Sequence, residues 1–126
     1  MRRYITEGEG LPRWISPISH AVVVGDTCHL SGQLSLDEEG RYVPGTAAEE
    51  ARRAFGHLFS ALRAAAFAPD DLVFIDIALT DLGELGEVNA VFAALFPEGR
   101  RPARTVYQAA ALPFGGRVKV MGVAIR

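Results

Sequence analysis

Two groups of side chains have types and spacing suited to chemistry. In the first, His20–Val24 and Thr27–Gln33 flank Gly25-Asp26, whose glycine-first order fits the type II′ turn of a two-residue hairpin. That turn pairs Val24 with Thr27, Val22 with His29 and His20 with Ser31, so strand alternation places His20, His29 and Ser31 on one face. Two imidazoles and a hydroxyl could make a metal half-site or a His–Ser dyad. No carboxylate or third histidine is spaced to complete a metal shell, Cys28 points to the opposite face, and no orienting acid is identifiable for a triad. No metal is expected; a polar patch on a sheet face is the simpler reading. His57, beside Leu58, is expected at the surface. The second group is Arg100, Arg101 and Arg104, guanidinium groups able to grip a carboxylate or phosphate through bidentate hydrogen bonds. Arg104 follows Pro102-Ala103 and falls inside a strand, where an unpaired guanidinium would be costly. No glycine run precedes a helix bearing Lys and Ser or Thr, so a phosphate loop is absent, and no cofactor is expected.

The elements that must position these groups follow from patterning. Residues 1–17 carry Gly8, Gly10, Pro12 and Pro17, which suits a loosely structured arm with room for one short strand. After the hairpin, Asp37 to Gly45 is rich in turn formers. Thr46-Ala47-Ala48-Glu49 is a capping box, and behind it Ala51, Ala54, Phe55, Leu58, Leu62 and Ala65 form a helical stripe ending before Pro69. Leu72 to Thr80 is apolar with only Asp76 interrupting, as in a largely buried strand. Asp81 and Glu84 open a second helix with the stripe Leu82, Leu85, Val88, Phe92 and Leu95, stopped by Pro97 and Gly99. Two further strands, Ala103–Leu112 and Arg117–Ile125, flank Pro113-Phe114-Gly115-Gly116. The order β-β-α-β-α-β-β predicts an α+β fold, one sheet backed by two helices. Those helices can cover only one face. The other carries Val, Met, Ala and Leu and would be wet in a monomer, which points to a homo-oligomer.

Composition bounds the function. The 126 residues suit one domain, 1–126, and 49% hydrophobic with 22% charged residues supports a real core. A net charge of −2 and a thin supply of aromatics beside the arginines argue against nucleic acid as partner. One cysteine cannot form an internal disulfide, and no apolar run has the length of a signal peptide or membrane span. A cytoplasmic protein with no membrane partner is expected.

Several segments resemble the YjgF/RidA family. These are Ser19-His20-Ala21-Val22, Gly25-Asp26, Ser31-Gly32-Gln33, Phe74 to Asp81, Glu87-Val88-Asn89, Pro102-Ala103-Arg104-Thr105 and Leu112-Pro113 with the last strand. The likeness spans nearly the whole chain. It implies a chorismate-mutase-like fold with a single mixed sheet backed by two helices, assembled as a homotrimer with sites in clefts between subunits. It also implies hydrolysis of reactive 2-imino and 2-enamino acids to keto acids and ammonia. By the same resemblance, Arg104 stands where the family holds the substrate carboxylate, and Ser31, Gly32, Asn89 and the backbone around Val106 line the cleft. The departures are Ile18 for a tyrosine, and Lys119 and Met121 for two glutamates, one of which positions the attacking water. Gln108 also replaces a carboxylate. Lys119 is the one catalytic candidate at the water step, and a lysine serves as a base only if its pKa is driven down.

Treating Pro113–Gly116 as a hairpin loop pairs Leu112 with Arg117, Ala110 with Lys119 and Gln108 with Met121. Arg104, Gln108, Lys119 and Met121 then share a face, with Arg104 and Lys119 about six residues apart, roughly 20 Å. A small substrate touching both would need them from different subunits. The resemblance implies imine/enamine deamination, with a small 2-imino or 2-keto acid as ligand. The alternative is a metabolite-binding, regulatory protein that keeps the carboxylate clamp and has lost hydrolysis. Ribonuclease activity is disfavoured by the net charge and the missing acid–base pair.

Overall fold

The computed structural model describes residues 1–126. Six strands form one mixed sheet: β1 (Arg2–Ile5), β2 (Ala21–Val24), β3 (Thr27–Gln33), β4 (Leu72–Leu79), β5 (Ala103–Gln108) and β6 (Val118–Ile125). Their spatial order is β1-β2-β3-β6-β4-β5. Two helices, α1 (Ala47–Ala64) and α2 (Leu85–Leu95), back one face, giving the α+β, chorismate-mutase-like arrangement. No helix is long and apolar enough to cross a membrane.

The β2–β3 hairpin has the expected register, with Val24 opposite Thr27 and Val22 opposite His29. Gly25 has φ of 58° and Asp26 does not go positive, as a type II′ turn requires. The arm supplies a full edge strand, since β1 pairs with β2 from Arg2↔Val24 to Ile5↔Ala21. Helix α1 starts on the predicted capping box: Thr46 Oγ1 accepts from the Glu49 amide at 3.1 Å, and Glu49 Oε1 accepts from the Thr46 amide at 2.9 Å. Its stripe of Ala51, Ala54, Phe55, Leu58, Leu62 and Ala65 is wholly buried. Arg3 of β1 and Arg126, just past the end of β6, donate to the carbonyls of Ala65 and Ala66, satisfying acceptors that a helix end leaves free. The second helix begins later than its pattern suggests. Asp81 caps a 3₁₀ turn, Leu82–Glu84, and Leu82 stays 43% exposed. Val88, Val91, Phe92 and Phe96 fill the core instead, with Phe92 and Phe96 edge-on to Phe55 at 6.1 and 6.0 Å.

The expected hairpin between β5 and β6 does not form. β5 lies parallel to β4, with Ile75↔Arg104 and Ile77↔Val106, while β6 runs antiparallel between β3 and β4. The reason is topological: β4-α2-β5 is a crossover unit, which returns its second strand parallel to the first. The segment after β5 then crosses the end of β4, where Ala109 N bonds Leu79 O and Arg117 N–H contacts lie beyond. It carries Leu112 into a small second core with Leu34, Leu36 and Ala78. β6 thereby joins the two halves of the sheet.

Register fixes which side chains share a face. Ile75, Ile77, Leu79, Val118 and Val120 point into the core under the helices. Phe74, Asp76, Lys119, Met121, Val123, Val22, His29 and Tyr107 lie on the opposite face. That face is covered only at one end, by the second core with Trp14, Tyr42 and Ala109 packed on it.

Candidate functional site

The candidate residues gather in two places. The first is on the helix side of the β5 edge. Arg104 projects there from β5, its Nη1 donating to Asn89 Oδ1 on α2 at 2.8 Å. Its guanidinium carbon stands 4.8 Å from the centroid of the Phe92 ring. A hydrogen bond on one nitrogen and an aromatic face behind the plane hold the fork in one orientation. No carboxylate pairs with it: the ion pairs of the molecule are Arg100–Asp70, Arg117–Glu50 and Arg117–Glu84. A concavity of about 380 Å³ opens here, lined by Asn89, Phe92, Ala93, Arg101, Pro102 and Arg104. Val106, two residues along, packs on the core beside it. The arginine cluster does not act as a unit. Arg101 Nε donates to Phe96 O at 3.0 Å and Arg100 pairs with Asp70, so Arg104 alone offers an uncommitted fork.

The second place is a bulge on the open face. Leu30 pairs with Gly122 and Gln33 with Val120, so Ser31 and Gly32 together oppose Met121. Such a bulge re-aims side chains and twists the strand. Ser31 Oγ donates to Ser19 O at 2.5 Å, tying the bulge to the segment that carries Ile18, itself 48% exposed. Lys119 lies next to them, with its stem laid across Gly32. A Cβ at position 32 would stand 2.9 Å from Lys119 Cδ and 3.2 Å from Cγ. Only glycine leaves the lysine this seat. Ser31, Gly32, Lys119 and Met121 thus adjoin one another, with Lys119 half-buried and in no ion pair, while Ile18 is tied to them only through its neighbour Ser19 and lines the arm concavity.

These two groups are on opposite faces of the same sheet, which corrects the expectation that Arg104, Gln108, Lys119 and Met121 share one. Ala78 pairs with both Lys119 and Tyr107, whereas Arg104 pairs with Ile75, an odd number of positions away. A shared face would require a β5–β6 hairpin, and β5 instead pairs parallel with β4. Within one copy of the chain the sheet itself separates the two groups.

The histidines do not make a site together. His20 is buried, with Nδ1 accepting from Trp14 Nε1 at 2.6 Å and Gln33 Nε2 at 3.0 Å, and Nε2 donating to Pro12 O at 2.9 Å. This network pins the arm to the sheet. Burial is the main cause that lowers the His20 pKa; the bond to Pro12 opposes it and His57 adds a small push. His29 stays exposed on the open face. His57, expected at the surface, is half-buried between Gly10 O at 3.2 Å and Leu36 O at 2.7 Å, joining α1 to the arm and the loop. A buried carboxylate, Glu50, is likewise structural: it accepts from Tyr42 Oη at 2.5 Å and from the Arg117 amide at 2.9 Å. Burial, then the Glu50 hydrogen bond and charge, push the Tyr42 hydroxyl up to about 12.

One polar residue on the open face escaped the pattern reading. Asp76, in sequence only a break in an apolar run, sits on β4 directly opposite Met121 of β6 and accepts from Thr105 Oγ1. It is the sole carboxylate in the six strands. Its position in a run otherwise apolar was the available signal. A larger concavity, about 970 Å³, runs along the arm between Thr6 and Ile18 with Glu38 and Glu39, and includes neither Arg104 nor Lys119.

The sequence model of the family described as Endoribonuclease L-PSP matches residues 11–126. The chain is 40% identical over 116 residues to the mouse protein named 2-iminobutanoate/2-iminopropanoate deaminase, covering 91% of this chain and 85% of that one. Among solved structures, RidA from the Antarctic bacterium Psychrobacter superposes with a TM-score of 0.91 at 33% identity, over 98% of this chain and 100% of that one. The YjgF gene product of E. coli superposes at 0.89 and 28% identity, over 98% of each chain.

Proposed function

Because the chain belongs to the Endoribonuclease L-PSP family, the family of YjgF and RidA, we propose that it binds small carboxylated 2-imino and 2-keto acids and hydrolyses the imines, releasing ammonia. The ligand lies in clefts between subunits of a homotrimer in the cytoplasm. Arg104 of one copy holds the carboxylate, with Asn89 fixing the guanidinium and the Val106 backbone beside it. Ser31, Gly32, Ile18, Met121 and Lys119 of a second copy form the facing wall. The whole of 1–126 serves as one domain in this reading, with 1–17 as an arm.

The observation that carries the proposal is the uncommitted Arg104 fork, oriented by Asn89 and Phe92 and left without a carboxylate. The placement of Lys119 on the other face of the sheet adds the need for a second copy, and the apolar open face offers a surface for it. The deaminase names of the relatives support the reaction. Imine carbons are already electrophilic, so orientation by a clamp supplies much of what catalysis needs.

A non-catalytic, metabolite-sensing role is the second reading. Lys119 favours it, standing where the resemblance places the water-positioning glutamate. The net charge of −2 and the lack of an acid–base pair weigh against RNA cleavage. Ammonia release from imines generated in place by an amino-acid oxidase separates the two. Release above the uncatalysed rate supports the deaminase; keto-acid binding without release supports the sensor.

A further inference from the structure

The chain contains a single lysine, Lys119, while every other basic position among the 13 is arginine. A cation wanted only for charge is supplied everywhere else by a guanidinium, which cannot be deprotonated in a protein and so cannot attack carbon. The one amine stands on the open face at the bulge. Its methylenes lie across Gly32, where a Cβ would come within 2.9 to 3.4 Å of Cδ, Cγ and Cε. No carboxylate is ion-paired to it. The stem thus packs over Gly32 while the amine is in no ion pair, and the one carboxylate within the strands, Asp76 on the same face opposite Met121, accepts from Thr105.

From this placement we propose that Lys119 is a nucleophile that forms a Schiff base with the 2-imino or 2-keto acid. This rests on the deaminase reading above and supplies the water step that the missing glutamate leaves open. The neutral Nζ adds to the imine carbon and gives a geminal diamine. A proton passes from Nζ to the substrate nitrogen, ammonia leaves, and the C=N bond re-forms to Nζ. Water then adds to the same carbon, the C–Nζ bond breaks, and the keto acid departs as the amine regains its proton. One imine and one water give one keto acid and one ammonia, with no change of oxidation state. Nucleophilic catalysis of this kind splits one slow addition into two easier ones. Arg104 holds the carboxylate while the carbon beside it meets Nζ.

The experiment is reductive trapping. Full-length protein is incubated with pyruvate or 2-oxobutyrate and cyanoborohydride, then analysed by intact mass and peptide mapping, alongside ammonia-release assays of wild type, Lys119→Arg and Lys119→Met. We expect an N-alkylated Lys119 in the wild type, no such adduct elsewhere in proportion, and ammonia release reduced about 10²-fold in both variants. Wild-type mapping needs no variant to fold. Undiminished ammonia release with an unmodified Lys119 would overturn the proposal and leave the deaminase reading intact. Trapping at Lys119 with no ammonia release from any imine would support the nucleophile and overturn the deaminase reading. Neither trapping, nor release, nor keto-acid binding would overturn both.

Discussion

In the proposed site, ligand binding turns on Arg104. It is half-buried, oriented by Asn89 and Phe92, and without an acidic partner, so its fork is available to a carboxylate. A guanidinium–carboxylate pair in a partly desolvated cleft contributes about 2–4 kcal/mol. Arg104→Ala should therefore weaken pyruvate or 2-oxobutyrate binding by about thirty-fold or more while the fold is retained, as read by calorimetry. Equal affinity in the variant would place the ligand elsewhere. Tyr42 gives a test of the buried polar cluster. Its hydroxyl is held neutral by burial and by Glu50, its pKa rising from 10.0 to about 12. A raised folded pKa means the stabilisation is complete below the unfolded value and is lost as pH climbs from 10 toward 12. Urea midpoints should fall across that window in the wild type and fall less in Tyr42→Phe. Arg104 and its neighbours were readable as residue types in the sequence, but the burial of His20 and His57 was not. Their roles depend on Trp14, Gly10 and Leu36, contacts that strand alternation does not encode.

At the scale of elements, local chemistry told most where the signal was local. The Gly25-Asp26 turn and the Thr46–Glu49 capping box form as their residues require. Thr46→Ala should destabilise the protein by about 1 kcal/mol, since it strips the cap from a helix whose stripe fills the core. Chemical denaturation would measure it; an unchanged midpoint would mean that packing alone sets the helix start. The sequence points to a β5–β6 hairpin because Pro113–Gly116 has the composition of a hairpin loop, and the two strands do not pair. The deciding interaction is distant: β6 inserts between β3 and β4, and no spacing within residues 103–125 reports that. The bulge at Ser31-Gly32 was equally hidden, because it appears only in the count of residues facing β6.

For the whole molecule, the uncovered sheet face and the division of candidate residues between two faces lead to one expectation, assembly. Light scattering coupled to gel filtration at micromolar concentration should give a trimer, and a monomer would remove the proposed cleft. Fold class and the two-helix backing were legible from periodicity; the segregation of Arg104 from Lys119 was not, since it follows from strand order. The most direct test is complementation between subunits. Arg104→Ala and Lys119→Met are each prepared, and then mixed by co-refolding. Each alone should release ammonia near the uncatalysed rate. In random mixed trimers about one cleft in four pairs an intact Arg104 with an intact Lys119, so activity should return to about a quarter of wild type. Mixed trimers that stay inactive while both variants fold and assemble would contradict a site shared between subunits.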